Sequence, residues 1–533
     1  MSDKPNADVL VLGGGLAGAE VAERISQAGY KVAIATDRET VGSSSKTDAG
    51  SPDRFLEKWK ADRSVEIWTD ATLLQAGGFV GDFKVTLQRA DGTDERSFGA
   101  IVAATDMRTE SLKEKYGLEG RKEVLSLDEL ERLLISGSQD LEGRRVAFAH
   151  GLLSETNPLE FDRLLNAVSK LQDSDSRVFV FADNLKLTAF PLDRKYHEAR
   201  KRGAIFLKSP DKPEFSIGGD PLRIEFLDSA LGRKVELQPD LLVVDRDYLP
   251  DERNGSLAEK LGINLSGNGY LQAENVHNLT VRTNRRGVFV VGGGKQLQSP
   301  EDSIADADNV VHELDRLFKL PAADGETSVA EVDPEKCVIC LTCYRACQHR
   351  AIAWVEGVAK VYERACLGCG MCASECPMNA IQVRSYSDRT LCESIEQAAA
   401  KEDTLIVFCC ENSAVAAREA ALKQGFDLAS GLEIVELPCA GKLDTELIMH
   451  ALTSGASGVL ALGCHPGNCR SEKGSLFAKQ RMEEFQRTLE AIGMQKERVQ
   501  FGTLAGNMGS AFRNLTAQMA KTIRQLGPSP FQN

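Results

Sequence analysis

Eight cysteines near the middle of the chain repeat one spacing. Cys337-x2-Cys340-x2-Cys343-x3-Cys347 is followed by Cys366-x2-Cys369-x2-Cys372-x3-Cys376, and Pro377 closes the second copy. Three thiolates on a tight loop reach three corners of one cubane. The fourth, after a short helical turn, points at the neighbouring cluster. The spacing therefore predicts two [4Fe–4S] clusters, one on Cys337, Cys340, Cys343 and Cys376 and the other on Cys366, Cys369, Cys372 and Cys347. Zinc is the competing reading, but it is satisfied by C-x2-C pairs and has no use for the third and fourth cysteines at these offsets. Gln348 stands where the first copy would have proline, which changes the turn and not the ligands. The pairs Ala351-Ile352 and Ala380-Ile381 read as apolar cover, and Trp354 as packing rather than a redox group.

The other cysteines lie further on, and none of the fourteen precedes Cys337. From residue 404 strand and helix patterns alternate: strands over 404–408, 433–437, 458–462 and 499–504, helices over 413–424, 444–454 and 476–492. Such alternation predicts a parallel sheet whose strand C-termini share one edge. Cys409, Cys410, Cys439, Cys464 and Cys469 each fall just past a predicted strand end, so the topology gathers them in the crevice where open α/β sheets bind ligands. A redox-active disulfide, zinc and iron–sulfur are all open to such a group. Cys392 stands apart and reads as a small buried hydrophobe.

At the other end, a short apolar strand over 8–12 runs into Gly13-Gly14-Gly15-Leu16-Ala17-Gly18, a helix over 19–28 and a strand over 31–35. Strand, G-x-G-x-x-G, helix and strand in that order form a dinucleotide fingerprint. Gly13 allows the tight turn, Gly15 lets a pyrophosphate approach the backbone, and Gly18 lets helix and strand pack closely. The helix start offers unpaired N–H groups to the phosphates. The ribose-gripping acid should end the second strand; Thr36 stands there and Asp37 follows one residue late, either as that acid or as a solvated turn acid. A second segment, 143–239, has its own strand–helix rhythm, but its first turn reads Ala149-His150-Gly151-Leu152-Leu153, without a glycine cradle. Nicotinamide is therefore not expected there, and His150 reads as a satisfied structural histidine.

Several of these stretches resemble known families. Residues 287–294, a buried strand ending in Gly292-Gly293-Gly294 and followed by a helix over 302–319, resemble the second flavin signature of the glutathione- and thioredoxin-reductase superfamily. Gly293 takes the place of its ribityl-binding Asp. Ala103-Ala104-Thr105-Asp106 is similar to that superfamily's A-T-G turn, with Asp106 in place of Gly. Residues 77–85, 124–134 and 287–294 resemble the A subunit of heterodisulfide reductase and its relatives in the quinone-interacting membrane-bound oxidoreductase. That resemblance implies FAD, held by Gly13, Gly15, Leu16, Ala17, Gly18, Asp37, Thr105, Gly292 and Gly293. Bifurcating members carry a cysteine-ligated cluster in the inserted segment; this chain has no cysteine there. The order CC, PC, GCHPG-x-C over 402–530 is similar to the delta subunit of methyl-viologen-reducing hydrogenase. It implies a [2Fe–2S] centre on Cys410, Cys439, Cys464 and Cys469, with Cys409 spare and His465 a donor to those ligands rather than a ligand itself.

The expected fold class is α/β multidomain: a thioredoxin-reductase-like FAD domain over 1–320, a two-cluster ferredoxin domain over 321–390 and a parallel-sheet cluster domain over 391–533. The polar stretch 322–333 reads as the linker. A net charge of −14 argues against nucleic acid. Clustered cysteines, no signal pattern and no apolar run of membrane length point to the cytoplasm, or to the inner membrane through a partner. No nucleophile–base pair, paired-carboxylate site or P-loop is present. The expected role is an electron-transfer subunit passing electrons between FAD, clusters and partners: heterodisulfide reductase-like, hydrogenase-like or quinone-interacting membrane subunits. The alternatives are a stand-alone flavoenzyme acting on NAD(P)H or a small substrate, and a scaffold with a dead flavin site.

Overall fold

A computed structural model describes residues 5–42, 59, 65–137, 141–153, 155–188, 191–208, 214–271, 275–277, 281–319, 328–401 and 403–530. Residues 322–327 of the expected linker lie outside these. The chain forms two compact units. One comprises Met1–Asp106, Asp251–Gln296 and Pro300–Asn533, and the other Met107–Pro250 with Leu297–Ser299.

The first unit opens with a five-stranded parallel sheet in the order Val288–Val290, Ala100–Ala103, Val9–Leu12, Val32–Ala35, Val65–Trp68. Its central strands are apolar at every position because both faces are covered. Helices Leu16–Gln27 and Pro300–Phe318 cover one face. An antiparallel meander, Thr72–Phe79, Asp82–Arg89 and Gly92–Phe98, contributes to the core on the other.

The twin-motif segment of the same unit is small. Ala330–Val332 pairs with Ile381–Val383, and Ile352–Val355 forms a hairpin with Val358–Val361. Two short helices, Thr342–Ala346 and Met371–Ser374, carry the second half of each cysteine motif. The C-terminal part is a four-stranded parallel sheet in the order Leu432–Leu437, Leu405–Cys410, Gly458–Gly463, Val499–Thr503. Helices Ala416–Lys423, Thr445–Thr453, Gly474–Ala491 and Gly509–Leu526 alternate with these strands. The first strand runs further than its sequence pattern suggests, so Cys409 and Cys410 are its last two residues rather than the turn beyond it.

The second unit holds its own five-stranded parallel sheet, in the order Ile205–Lys208, Arg177–Ala182, Arg145–His150, Leu241–Val244, Val124–Ser126. At its first turn, Asp245 accepts a hydrogen bond from the Gly151 N–H at 2.6 Å. Burial pushes the Asp245 carboxyl up to about 7 and the His150 imidazole down to about 4. His150 is not the satisfied histidine the sequence suggests. Neither ring nitrogen has a hydrogen-bond partner among the described residues, and the ring stacks on Phe161. It remains buried by staying neutral. Among the described residues, no helix is long and apolar enough to cross a membrane.

Candidate functional site

The eight central cysteines line two cavities. One is bounded by Cys337, Cys340, Cys343 and Cys376. The other is bounded by Cys347, Cys366, Cys369 and Cys372. The fourth cysteine of each repeat thus lines the other repeat's cavity, because the short helix after the third cysteine carries the chain across. Both fourth cysteines are held alike: Ala351 N–H donates to Cys347 Sγ and Ala380 N–H to Cys376 Sγ, each at 3.3 Å. The Ala-Ile pairs therefore supply sulfur-directed donors as well as cover. Gly368 N–H donates to Cys366 Sγ at 3.4 Å. Donors aimed at ligand sulfur are a means of setting cluster potential.

The cavities differ in setting. Cys340 is exposed, and donation from the Thr342 hydroxyl and backbone holds its thiol below the usual range. In the other cavity burial dominates, pushing Cys347 up to about 11 and Cys372 well above its ordinary value. Cys347 and Cys366 pack against the core of the N-terminal sheet. Phe79 and Tyr362 stack there with ring centroids 3.6 Å apart. Trp354, by contrast, is 61% exposed on its hairpin and belongs to no buried core cluster among the described residues.

The C-terminal cysteines converge. Cys410, Cys439, Cys464 and Cys469 are all buried in one cluster, and Cys369 of the inner cavity packs against it. Cys410 contacts Cys439 and Cys464, and Cys469 contacts the same two, so the four sulfurs close a ring. Cys410 and Cys464 are 3.9 Å apart. Donation from their two neighbours holds Cys410 and Cys469 low and pushes Cys439 and Cys464 up. Alternation along the strand sends Cys409 to the opposite face, into a separate apolar core, where burial pushes its thiol up to about 12. Cys392 is only half-buried. His465 is not a donor to the cysteines: its ring nitrogens face Thr503 Oγ1 at 3.0 Å and Met508 Sδ at 3.3 Å. Close as these cysteines are, no group of three or more His, Cys, Asp or Glu side chains among the described residues has the arrangement of a site for a single metal ion.

Sequence reasoning missed one element at this centre. Asn275, 194 residues upstream, donates to the Cys469 carbonyl at 2.7 Å, and His277 Nε2 lies 4.0 Å from Cys464 Sγ. Asn264 adds a bond to Glu472 at 3.0 Å. No spacing rule links residues so far apart in the chain.

Around the glycine turn, the expected dinucleotide residues also come together. A Cβ on Gly13 would lie 2.2 Å from the Ala104 carbonyl, and one on Gly18 would lie 2.0 Å from the Gly13 carbonyl. Gly292 presses on Ala17 and Gly294 on Thr105 in the same way. Gly13, Ala17, Gly18, Thr105 and Gly292 therefore close on one another at one edge of the sheet, with Leu16 and Gly293 next to them in the chain, and such close backbone packing is of the kind a dinucleotide needs. Asp37 is half-exposed and paired with Arg253. Gly15 starts the helix with no side-chain cap, and the Asp106 carboxylate lies against it.

Two family models match. That for the 4Fe-4S dicluster domain covers residues 330–383, and that for the methyl-viologen-reducing hydrogenase delta subunit covers residues 405–527. The A subunit of the ferredoxin:CoB-CoM heterodisulfide reductase of Methanosarcina mazei is 23% identical over 456 residues, 81% of this chain and 57% of the relative. The chain thus spans little more than half the length of that relative. The iron-sulfur D subunit of the F420-non-reducing hydrogenase of Archaeoglobus profundus is 30% identical over 131 residues, 25% of this chain and 96% of the relative. Thioredoxin reductase of T. acidophilum, a solved structure, is 17% identical with a TM-score of 0.38, over 58% of this chain and 98% of that one. With nearly the whole of the A. profundus protein matched onto its C-terminal quarter, the chain belongs to the methyl-viologen-reducing hydrogenase delta-subunit family.

Proposed function

We propose that this chain is an electron-transfer flavo-iron–sulfur subunit of a multi-subunit oxidoreductase, divided into parts at 1–320, 321–390 and 391–533. The observation that carries the reading is the contact of Cys369, on the inner cavity, with the four-cysteine ring of the C-terminal sheet. Three cysteine sites thus follow one another through one compact unit.

Cys337, Cys340, Cys343 and Cys376 would hold one [4Fe–4S] cluster, and Cys347, Cys366, Cys369 and Cys372 the other. Cys410, Cys439, Cys464 and Cys469 would hold a third centre, of the [2Fe–2S] kind. Gly13, Gly15, Leu16, Ala17, Gly18, Asp37, Thr105, Gly292 and Gly293 would hold FAD. When bound, a flavin exchanges electrons in pairs or singly and iron–sulfur clusters exchange them one at a time. The protein's part is placement. The N–H groups of Gly368, Ala351 and Ala380 bond sulfur, the N-terminal core shields the inner cavity from water, and Asn275 and His277 cover the C-terminal ring.

Partners would be other oxidoreductase subunits, whether heterodisulfide reductase-like, hydrogenase-like or a quinone-interacting membrane subunit. The outer cavity suits such a docking because apolar Val338, Ile339 and Met378 stand exposed around it. The second unit gives little support to the stand-alone NAD(P)H enzyme: the Gly151 N–H that would receive a phosphate is taken by Asp245. Anaerobic purification tests the reading. Iron and acid-labile sulfide for three centres, reduced-state EPR signals and co-purifying redox subunits are expected. Zinc in place of iron, or steady NADH oxidation by the isolated chain, would overturn it.

A further inference from the structure

At the glycine turn the chain carries a negative charge of its own. A Cβ built on Gly15 would fall 2.3 Å from each carboxylate oxygen of Asp106. The space that glycine leaves open at this position is the space through which a pyrophosphate approaches the backbone. Asp106 therefore presents two anionic oxygens at the start of helix Leu16–Gln27, where the helix dipole and its first N–H groups favour an anion. Arg38, just past the second strand, reaches across and pairs with Asp106 at 2.5 Å. The carboxylate side chain is only 17% exposed. A carboxylate paired with an arginine through one oxygen offers the guanidinium the same kind of partner that a phosphate oxygen would.

We propose that Asp106 is an internal competitor for the dinucleotide's pyrophosphate. It occupies the phosphate position when the cradle is empty and is displaced when FAD enters. On displacement Arg38 exchanges one anion for another, from the Asp106 carboxylate to the phosphates. No bond is made or broken; two anions compete for one set of donors. FAD affinity then reflects the difference between the two states, and the chain releases its flavin more readily than a glycine at 106 would allow. This inference rests on the flavin reading above and adds a rule for how that site is filled.

The test uses the full-length protein stripped of flavin and titrated with FAD, read by quenching of flavin fluorescence. Asp106→Gly should bind FAD at least tenfold more tightly than the unaltered chain, and the near-isosteric Asp106→Asn should fall between them. Removing Arg38 as Arg38→Gln should weaken binding more in the Asp106→Gly background than alone, because there the Asp106 carboxylate no longer competes with phosphate for the guanidinium. Iron content and circular dichroism of each variant report that the fold is intact, and Asp106→Asn carries the test if the glycine variant does not fold. If Asp106→Gly and Asp106→Asn bind FAD no more tightly than the unaltered chain, the competitor role is wrong while the flavin site stands. If the unaltered chain and both variants all leave FAD unbound, the flavin reading and this inference fail together.

Discussion

The two cysteine repeats have one spacing and one backbone path, yet different residues serve at equivalent turns. In the inner repeat, the positions before and after the second cysteine are Gly368 and Gly370, with φ of +65° and +79°. In the outer repeat they are Ile339 and Leu341, held at φ of +58° and +59°. A β-branched residue in the left-handed region is strained. The difference follows from neighbours. A Cβ on Gly368 would stand 1.8 Å from the Ser328 carbonyl, and one on Gly370 would stand 2.8 Å from Lys442. The buried repeat has no room for a side chain at either place. The open repeat has room and uses it to carry an apolar rim, with Val338 58% and Ile339 43% exposed, and Met378, which crosses over from the other repeat behind Cys376, completes that rim at 46%. The residue matching Met378 in the other repeat is His349, which is buried and bonded to the Asn284 carbonyl at 3.0 Å. One motif thus serves as an internal station in one copy and as a face to the outside in the other.

The largest test of this contrast is ligand removal. Cys372→Ala should lose about half of the cubane iron and slow electron passage between the two ends of the first unit by about a hundredfold or more. Cys340→Ala should lose similar iron but leave passage from the inner cavity to the C-terminal centre intact. Rapid-freeze EPR after reduction distinguishes them, and equal effects would erase the distinction between the repeats. Next comes Gly368→Ala, which forces a Cβ against backbone and should cost about 3 kcal/mol, read as a lower denaturation midpoint. Opening the rim with Val338→Ser and Met378→Ser together should raise the KM for a redox partner about tenfold, with iron content unchanged. An unaltered KM would mean that the partner meets another face. Smallest is Ile339→Gly: relief of left-handed strain, partly offset by added chain entropy, should stabilise the fold by about 0.5 kcal/mol in chemical denaturation.

The parts of this molecule legible in its sequence are those governed by local spacing. Cysteines three and four residues apart dictate a loop and a helical turn. Alternating apolar segments from residue 404 dictate a parallel sheet with its ends on one side, and all three observed strand pairings there are parallel. What escaped depended on distant contacts or on an exact strand end. Two more residues of strand separate Cys409 from Cys410 onto opposite faces, which a turn would not have done. His465 looked like a sulfur donor by adjacency to Cys464, but Thr503 and Met508, on a later strand and turn, claim its ring. Trp354 has the composition of a core residue and the position of a hairpin surface. The replacement of glycine by Asp106 is visible in the sequence. That its carboxylate lies on Gly15, 91 positions earlier, is not.

The seam between the twin-motif segment and the C-terminal sheet has a consequence for speed. Ser374 Oγ donates to the Gly441 carbonyl at 2.7 Å, and Arg481 bonds the Gly441 and Leu443 carbonyls while pairing with Glu375. The wholly buried Lys442 reaches Asp388. Tunnelling between redox groups decays exponentially with their separation, so a joint that rattled by even a fraction of an ångström would scatter the hopping rate widely. In the proposed function these rivets would hold the Cys369 side of the gap still relative to the Cys439 side, so that the crossing between them would be a fixed quantity rather than an average over a loose hinge.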